Sequence, residues 1–339
     1  MSSQPDLLGS LLRDVSRAFY LTLRVLPPGV RRPVGLAYLL ARAADTLADT
    51  PALPPEVRLG HLGDFRALVE GPVRPEVVQR LQREARAGTP GEEALLQALP
   101  RALELLEALD GPDRVEVRRV VDTLTRGMDL DLRTFPGALQ RAEELDHYTY
   151  LVAGCVGEFW TRETMAHTPA LGGWDEERMA RLGIRFGKAL QLTNILRDVP
   201  KDLAAGRCYL PAAELAEVGL EPRDLEDPRN LSRARPVLER QVRLALDHYA
   251  AAEEYTLALP PSCVRLRLAV LWPILIGLET LALLVRSPRW LDPADRVKVG
   301  RSGVYRIVLL SVPAAPFNPV LRAWMARGRG RVLEALAAS

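Results

Sequence analysis

Apolar residues recur at three- and four-residue spacing along this chain, most clearly over residues 101–109, 115–132 and 179–196. No stretch settles into the every-second-residue alternation of a half-buried strand. Leu, Ala, Arg and Glu dominate, and all are good helix formers. Pro- and Gly-bearing breaks fall at 27–29, 51–55, 88–91, 111–112, 136–137, 172–173, 260–261 and at Pro288. The pattern predicts an all-α fold of about ten or more helices with short connections. No internal repeat or low-complexity linker divides it. The 339 residues are therefore expected to form a single large helical domain, its core over about 10–290 and a C-terminal helical tail over about 291–339. The RGRGR run at 327–331 reads as a solvated part of that tail.

Composition narrows the partners. Apolar residues make up 48% and charged residues 26%, with a net charge of +2, so no global field draws this chain to nucleic acid or an acidic membrane. Lys188, Lys201 and Lys298 are the only lysines beside 42 arginines, which reads as genomic bias and still singles out each lysine. Cys155, Cys208 and Cys263 are odd in number and far apart, which suggests neither a disulfide framework nor a zinc site and fits a reducing interior. Residues 1–10 lack the layout of a signal peptide. The expected location is cytoplasmic, with peripheral contact at the inner face of the membrane. Residues 268–285 carry one charge, Glu279, and sit at the lower length limit for a spanning helix. Pro273 and Glu279 inside that run favour a buried core helix.

The chemistry lies in D-x-x-x-D, found at Asp45/Asp49 and Asp198/Asp202 and nowhere else. Residues four apart on a helix lie about 40° apart around the axis and about 6 Å along it, so both carboxylates share a face. Like charges at that spacing weaken a helix unless something positive lies between them. Hard oxygen ligands of this kind suit Mg²⁺ bridging substrate phosphates. Tyr38, Arg42, Asp45 and Asp49 continue one polar stripe along an otherwise apolar helix, and Gln191, Asn194, Asp198 and Asp202 form a second. Such stripes are costly to bury without ligands. The competing reading is two salt-bridged helix surfaces.

These stretches resemble the squalene/phytoene synthase family. The family's S-R-x-F-Y stands here as Ser16-Arg17-Ala18-Phe19-Tyr20, and its first aspartate box runs from Tyr38 to Asp49. The Y-x-Y-x-V-A-G-x-V-G segment runs from Tyr148 to Gly157, and the second box from Leu190 to Pro211. The likeness spans about 16–284. It implies an isoprenoid synthase fold with a central apolar cavity, both aspartate boxes across its mouth, and bound Mg²⁺ (Mn²⁺ as the alternative).

On that resemblance Asp45, Asp49, Asp198 and Asp202 are metal ligands and catalytic. Ser16, Arg17, Tyr38, Arg42, Gln191, Asn194, Arg197 and Arg207 bind the prenyl diphosphates, farnesyl diphosphate foremost. For the arginines, pairing with a structural carboxylate is the other reading. Tyr148 serves cation stabilisation or proton transfer as presqualene diphosphate forms, or else is a buried tyrosine with a satisfied hydroxyl. Phe19, Val152, Gly154, Val156, Gly157, Leu271 and Pro273 line the cavity. Arg42, Arg197 and Lys298 contact NADPH, residues 296–300 resembling a V-K-I-R stretch near the nicotinamide phosphate site of squalene synthases. No G-x-G-x-x-G follows a strand, so a Rossmann site is excluded.

Ala48 and Lys201 stand where squalene synthases often carry a further acid, and Pro200 removes a helical hydrogen bond, predicting a kink in the second box. The expected reaction joins two farnesyl diphosphates through presqualene diphosphate to squalene. The alternatives are phytoene synthesis from geranylgeranyl diphosphate, arrest at presqualene diphosphate, and a non-catalytic helical scaffold. Peripheral membrane contact would serve product release, and no obligate protein partner is expected.

Overall fold

Proline marks helix starts. Pro28, Pro55, Pro75 and Pro90 each take the first helical position, where the missing N–H has no partner to lose. A computed structural model describes residues 6–16, 19–50, 53–85, 87–295 and 297–338, so Arg17, Arg296 and the side chain of Phe19 lie outside the described residues.

The first helices are α1 (Leu12–Ser16), α2 (Phe19–Val25), α3 (Pro28–Ala48), α4 (Pro55–Glu70), α5 (Pro75–Glu84), α6 (Pro90–Gln97), α7 (Leu99–Glu107) and α8 (Gly111–Thr134). There follow β1 (Gly137–Ala138), α9 (Ala142–Thr149), a π-helical turn at Tyr150–Gly154, α10 (Cys155–Ala166), α11 (Glu176–Ala204) and β2 (Arg207–Cys208). The chain continues through α12 (Ala212–Glu217), α13 (Leu231–Ala258), α14 (Val264–Arg286), α15 (Arg301–Ala314) and α16 (Asn318–Ala338). The two short strands pair in parallel, Gly137 opposite Arg207.

Two compact units result, Met1–Arg133 with Phe159–Pro169, and Thr134–Glu158 with Ala170–Ser339. In the first, α3 is the hub. Val30, Leu36, Leu39, Leu40, Ala43, Ala44 and Leu47 are at most 1% exposed, and α4, α6 and α7 pack around them.

In the second, α11 and α13 pack along one another, and α14 lies against both and against α15 and α16. Helix α14 is long and apolar enough to cross a membrane, yet 78% of its apolar window is buried inside this unit. Leu266, Leu271, Leu278 and Leu281 are at most 1% exposed, and each such leucine stabilises by roughly 1.5–3 kcal/mol over an exposed one. Arg267, fully buried, donates to the carbonyls of Leu259 at 3.1 Å and Ala315 at 2.6 Å and to the Asn318 side chain, tying α14 to the chain entering α16.

The RGRGR run departs from its expectation as a solvated tail. It lies within α16, where Arg329 pairs with Glu253 at 3.1 Å and Arg331 with Glu279 at 2.7 Å. Gly328 packs on Leu278. A local charge pattern carries no sign of such distant partners.

Candidate functional site

In the first unit the predicted stripe is the open edge of a buried helix. Tyr38, Arg42 and Asp45 are half-buried and Asp49 is exposed, while Leu39, Leu40, Ala43, Ala44, Leu47 and Ala48 between them are buried. The Asp49 N–H still bonds the Asp45 carbonyl at 2.8 Å, so the pair keeps its one-turn spacing at the end of α3. Arg42 bridges two carboxylates, donating one nitrogen to Asp45 and another to Glu92 of α6. Burial would lower the Arg42 pKa, but Asp45 and Glu92 outweigh it and raise it. Burial likewise pushes Glu92 up, and Arg42, Thr89 and the Gly88 N–H together bring it below its ordinary value. Tyr38 donates to the Val15 carbonyl at 3.2 Å. The buried Ser16 hydroxyl has no hydrogen-bond partner among the described residues.

In the second unit α11 shows the same design. Gln191, Asn194, Asp198 and Asp202 are half-buried, and Leu192, Thr193, Ile195, Leu196, Val199 and Leu203 are buried. Arg197 grips its neighbour Asp198 with two hydrogen bonds, 2.9 and 2.6 Å. That bond raises Arg197 despite its burial. Asp202 fares otherwise. Burial, then the neighbouring Asp198, push it up to about 6, and Lys201, Arg207 and Arg197 offset this only in part.

At Pro200, where the sequence predicts a kink, α11 continues as helix to Ala204. A proline at 200 leaves the carbonyl four residues back, that of Leu196, without its helical donor. The indole N–H of Trp290 supplies one at 2.8 Å, and Trp290 is itself 1% exposed. The helix thus keeps the one-turn separation of Asp198 and Asp202. It ends at Gly206, whose φ of +74° is left-handed and suits glycine. Arg207 then opens β2 beside a small hollow that Asp202 also lines.

Tyr148 is 4% exposed and stacks on Tyr209, ring centroids 4.8 Å apart, while Phe135 meets Tyr209 edge-on at 4.9 Å. Lys188 of α11 donates to Asp146 of α9 at 2.6 Å, fixing the helix that carries Tyr148. Gly157 was expected as cavity lining, and here a Cβ on it would overlap the Gly183 carbonyl oxygen. The missing side chain lets α10 and α11 approach closely there. Val152, Val156 and Pro273 are half-buried and Leu271 is fully buried. Lys298 is exposed.

Sequence reasoning missed three residues. Tyr209 stood within the second box as a bare motif letter. Glu92 lies 50 residues from Arg42, and Trp290 lies 94 from Leu196. Only the fold joins these pairs. As for metal, each unit offers two accessible carboxylates one turn apart, and burial, then Asp198, holds Asp202 near 6. Oxygen donors so placed fit a hard divalent cation.

Comparison with known proteins points to one family. A family model described as squalene/phytoene synthase matches residues 12–303. Among curated relatives, the presqualene diphosphate synthase of Rhodopseudomonas palustris is 30% identical over 243 residues, 70% of this chain and 73% of that protein. The bifunctional lycopene cyclase/phytoene synthase of Colletotrichum graminicola is 30% identical over 72% of this chain, and the chloroplastic phytoene synthase of an Oncidium hybrid cultivar 28% over 80%. The chain spans only 40% and 58% of the length of those two relatives. Among solved structures, TcSQS in complex with the ligand BPH1237 aligns with a TM-score of 0.76 at 20% identity, covering 98% of both chains. Squalene synthase HpnC from Alicyclobacillus acidocaldarius aligns at 0.55 and 20% identity, over 95% of this chain and 92% of that one. The fold is all-α and of the isoprenoid synthase type, as the sequence led one to expect.

Proposed function

We propose, for a chain that belongs to the squalene/phytoene synthase family and is a prenyltransferase, that it joins two farnesyl diphosphates head to head through presqualene diphosphate to squalene, with Mg²⁺ and NADPH. One observation carries the reading. Helices α3 and α11 each carry a polar stripe open to solvent among buried neighbours, and each stripe ends in two carboxylates a turn apart.

In this reading the chain acts as one domain around a single apolar cavity. Asp45, Asp49, Asp198 and Asp202 hold the divalent ions at its mouth. Bound there, the ions supply positive charge to the departing diphosphate. Ser16, Arg17, Tyr38, Arg42, Gln191, Asn194, Arg197 and Arg207 bind the diphosphate oxygens, the arginines through charge-assisted hydrogen bonds. Phe19, Val152, Val156, Leu271 and Pro273 keep water from the allylic cation. Tyr148, held against Tyr209, stabilises that cation or takes its proton as the cyclopropane closes. NADPH, where bound, would supply the hydride for the reductive second half of the reaction, from presqualene diphosphate to squalene. Lys298, with Arg42 and Arg197, binds that cofactor. Support comes from a cavity of about 520 Å³ that begins one residue after Lys298 at Val299 and is lined by Arg306 and Arg327, with Arg331 paired to Glu279 in its wall; the Arg306 and Arg327 guanidinium groups match nucleotide phosphates.

Two further readings rest on particular relatives. Likeness to the Rhodopseudomonas protein favours arrest at presqualene diphosphate, and likeness to the Oncidium protein favours phytoene from geranylgeranyl diphosphate. Incubation with either prenyl diphosphate and Mg²⁺, with and without NADPH, separates them by product chromatography. Squalene only with NADPH is expected. Presqualene diphosphate in both arms means arrest, and turnover of geranylgeranyl diphosphate alone means phytoene. No turnover and no metal-dependent diphosphate binding would leave a helical scaffold. Lys298→Ala should raise the NADPH requirement and let presqualene diphosphate accumulate; an unchanged response removes Lys298 from the site.

Product release at a membrane has its own support. On α15 the exposed line is Tyr305, Leu309 and Val312, at 63%, 72% and 51%, where a solvated helix would carry polar groups. The buried Ile307 and Ser311 lie on the other side of the helix. Residues 297–333 hold seven Lys and Arg and no Asp or Glu. That combination suits peripheral contact with an anionic lipid surface, on the cytoplasmic side. Sedimentation with anionic but not zwitterionic vesicles, weakened by Leu309→Glu, is expected. Dimerisation in solution without vesicle binding would give the face to a second copy.

A further inference from the structure

We propose that Asp113, Glu163 and His167 form a second divalent-metal site, separate from the aspartate boxes, binding Zn²⁺ or a similar imidazole-seeking ion and fastening the start of α8 to the end of α10. The three residues belong to one compact unit. Asp113 lies in the first turn of α8. Glu163 stands in the last turn of α10, and His167 follows one turn on, its N–H still bonded to the Glu163 carbonyl at 3.2 Å.

The geometry suits an ion. His167 Nε2 and Asp113 Oδ1 share a hydrogen bond at 2.9 Å, whose proton an ion would replace, Nε2 lies 3.6 Å from Glu163 Oε2, and the three atoms all fall within 4.8 Å of one another. Donors around a tetrahedral Zn²⁺ with bonds near 2.0–2.1 Å are roughly 3.3–3.4 Å apart. One imidazole and two carboxylates form a set that Zn²⁺ takes readily. The aspartate boxes offer oxygen alone, a set for harder ions.

A second observation points to a ligand. Glu163 is 1% exposed, and its buried Oε2 has no hydrogen-bond partner among the described residues. Burying a carboxylate oxygen without a partner is costly, so an unpartnered one beside a second carboxylate and an imidazole has the character of a ligand. The charged surroundings leave the deficit open. Glu116 is the next acid, and it is matched by Arg119 and by Arg162 at 3.5 Å. Burial, then Asp113 and Glu116, push the Glu163 carboxyl up to about 8. His167 keeps 25% of its side chain open, a path for an ion from solvent.

The test uses the full chain, stripped with chelator and then titrated with Zn²⁺ in excess Mg²⁺, which occupies the aspartate boxes. The readouts are bound Zn²⁺ per chain and the imidazole ¹⁵N resonances of the four histidines, His61, His147, His167 and His248. The proposal expects one Zn²⁺ per chain, a shift of the His167 Nε2 resonance, and the same binding in Asp45→Ala with Asp198→Ala. In His167→Ala and in Glu163→Gln, affinity should fall at least roughly 100-fold, the upper end for losing a mere outer-shell partner. Binding that resists both variants, or a resonance shift at His61, His147 or His248 in place of His167, would overturn it. So would no retained Zn²⁺ in the unaltered chain, a readout that needs no variant to fold. Failure here leaves the synthase reading untouched, since none of its residues is involved.

Discussion

The carboxylates of α3 and those of α11 share a spacing and differ in their surroundings. On α3, Arg42 is clasped between Asp45 and Glu92, and the network brings Glu92 below its ordinary pKa. On α11, Arg197 is committed to Asp198, and Asp202 is left near 6 by its burial and by Asp198. One motif is thus built in two electrostatic versions. On α3 one guanidinium holds two carboxylates by direct hydrogen bonds. On α11, burial and then Asp198 keep Asp202 raised despite Lys201, Arg207 and Arg197, so a divalent cation there would relieve a buried carboxyl.

The largest expected effect tests whether both versions serve chemistry. Asp45→Ala and Asp198→Ala should each slow diphosphate release by about 10³-fold or more, the scale of losing a charge-stabilising group at the transition state. Circular dichroism should stay unchanged, since both side chains are half-open. Wild-type rates in either variant would break the comparison at its root.

The next effect separates the two halves by pH. Asp202 must lose its proton to bind a cation, so apparent Mg²⁺ affinity should fall by up to roughly tenfold per pH unit as pH drops below about 6. Asp202→Asn should bind Mg²⁺ more weakly and lose that dependence, whereas Asp49→Asn should keep it. Isothermal titration at pH 5, 6 and 7 reads this directly. Equal pH slopes in both variants would erase the contrast between α3 and α11.

A third effect concerns how α11 holds its shape. Trp290→Phe leaves the Leu196 carbonyl buried without a donor, a loss of about 1–3 kcal/mol. Pro200→Ala restores the helix's own N–H and should recover most of it, an interaction that a double-mutant cycle in urea isolates. Simple additivity of the two changes would show that the indole bond does not stand in for the missing one.

What was legible in the sequence follows from the same physics. Polar residues at three- and four-residue spacing among apolar ones write a helix's open edge as a stripe, so Tyr38, Arg42, Asp45 and Asp49 could be assigned to one face from spacing alone, and so could Gln191, Asn194, Asp198 and Asp202. Proline at a helix start is equally local, and Pro28, Pro55, Pro75 and Pro90 sit at predicted breaks or just after a turn. What answers the N–H missing at Pro200 is decided elsewhere, by an indole 94 residues from the carbonyl it serves. Arg329 and Arg331 misled because their partners, Glu253 and Glu279, lie on other helices. Periodicity reports which face is buried. It is silent on what the face meets.

The smallest expected effect is the sharpest test of the two electrostatic versions, because it turns on a sign. Glu92 is held below its ordinary 4.5, so its ionised form stabilises the folded state above that pH, and the contribution fades as pH falls through the lowered value. Asp202 is raised from 3.8 to about 6, so without metal the folded chain binds the extra proton between those values. Its share of stability therefore grows as pH drops through that window and is absent well above 6. Glu92→Gln should cost about 1 kcal/mol at pH 7, with the deficit closing as pH falls below 4.5. Asp202→Asn should instead gain on the metal-free wild type at pH 7 and lose that advantage toward pH 4. Urea unfolding of the metal-free chains across this range measures both slopes. Slopes of the same sign would mean that one electrostatic design, not two, underlies the paired aspartates, and added Mg²⁺ should reverse only the Asp202 result.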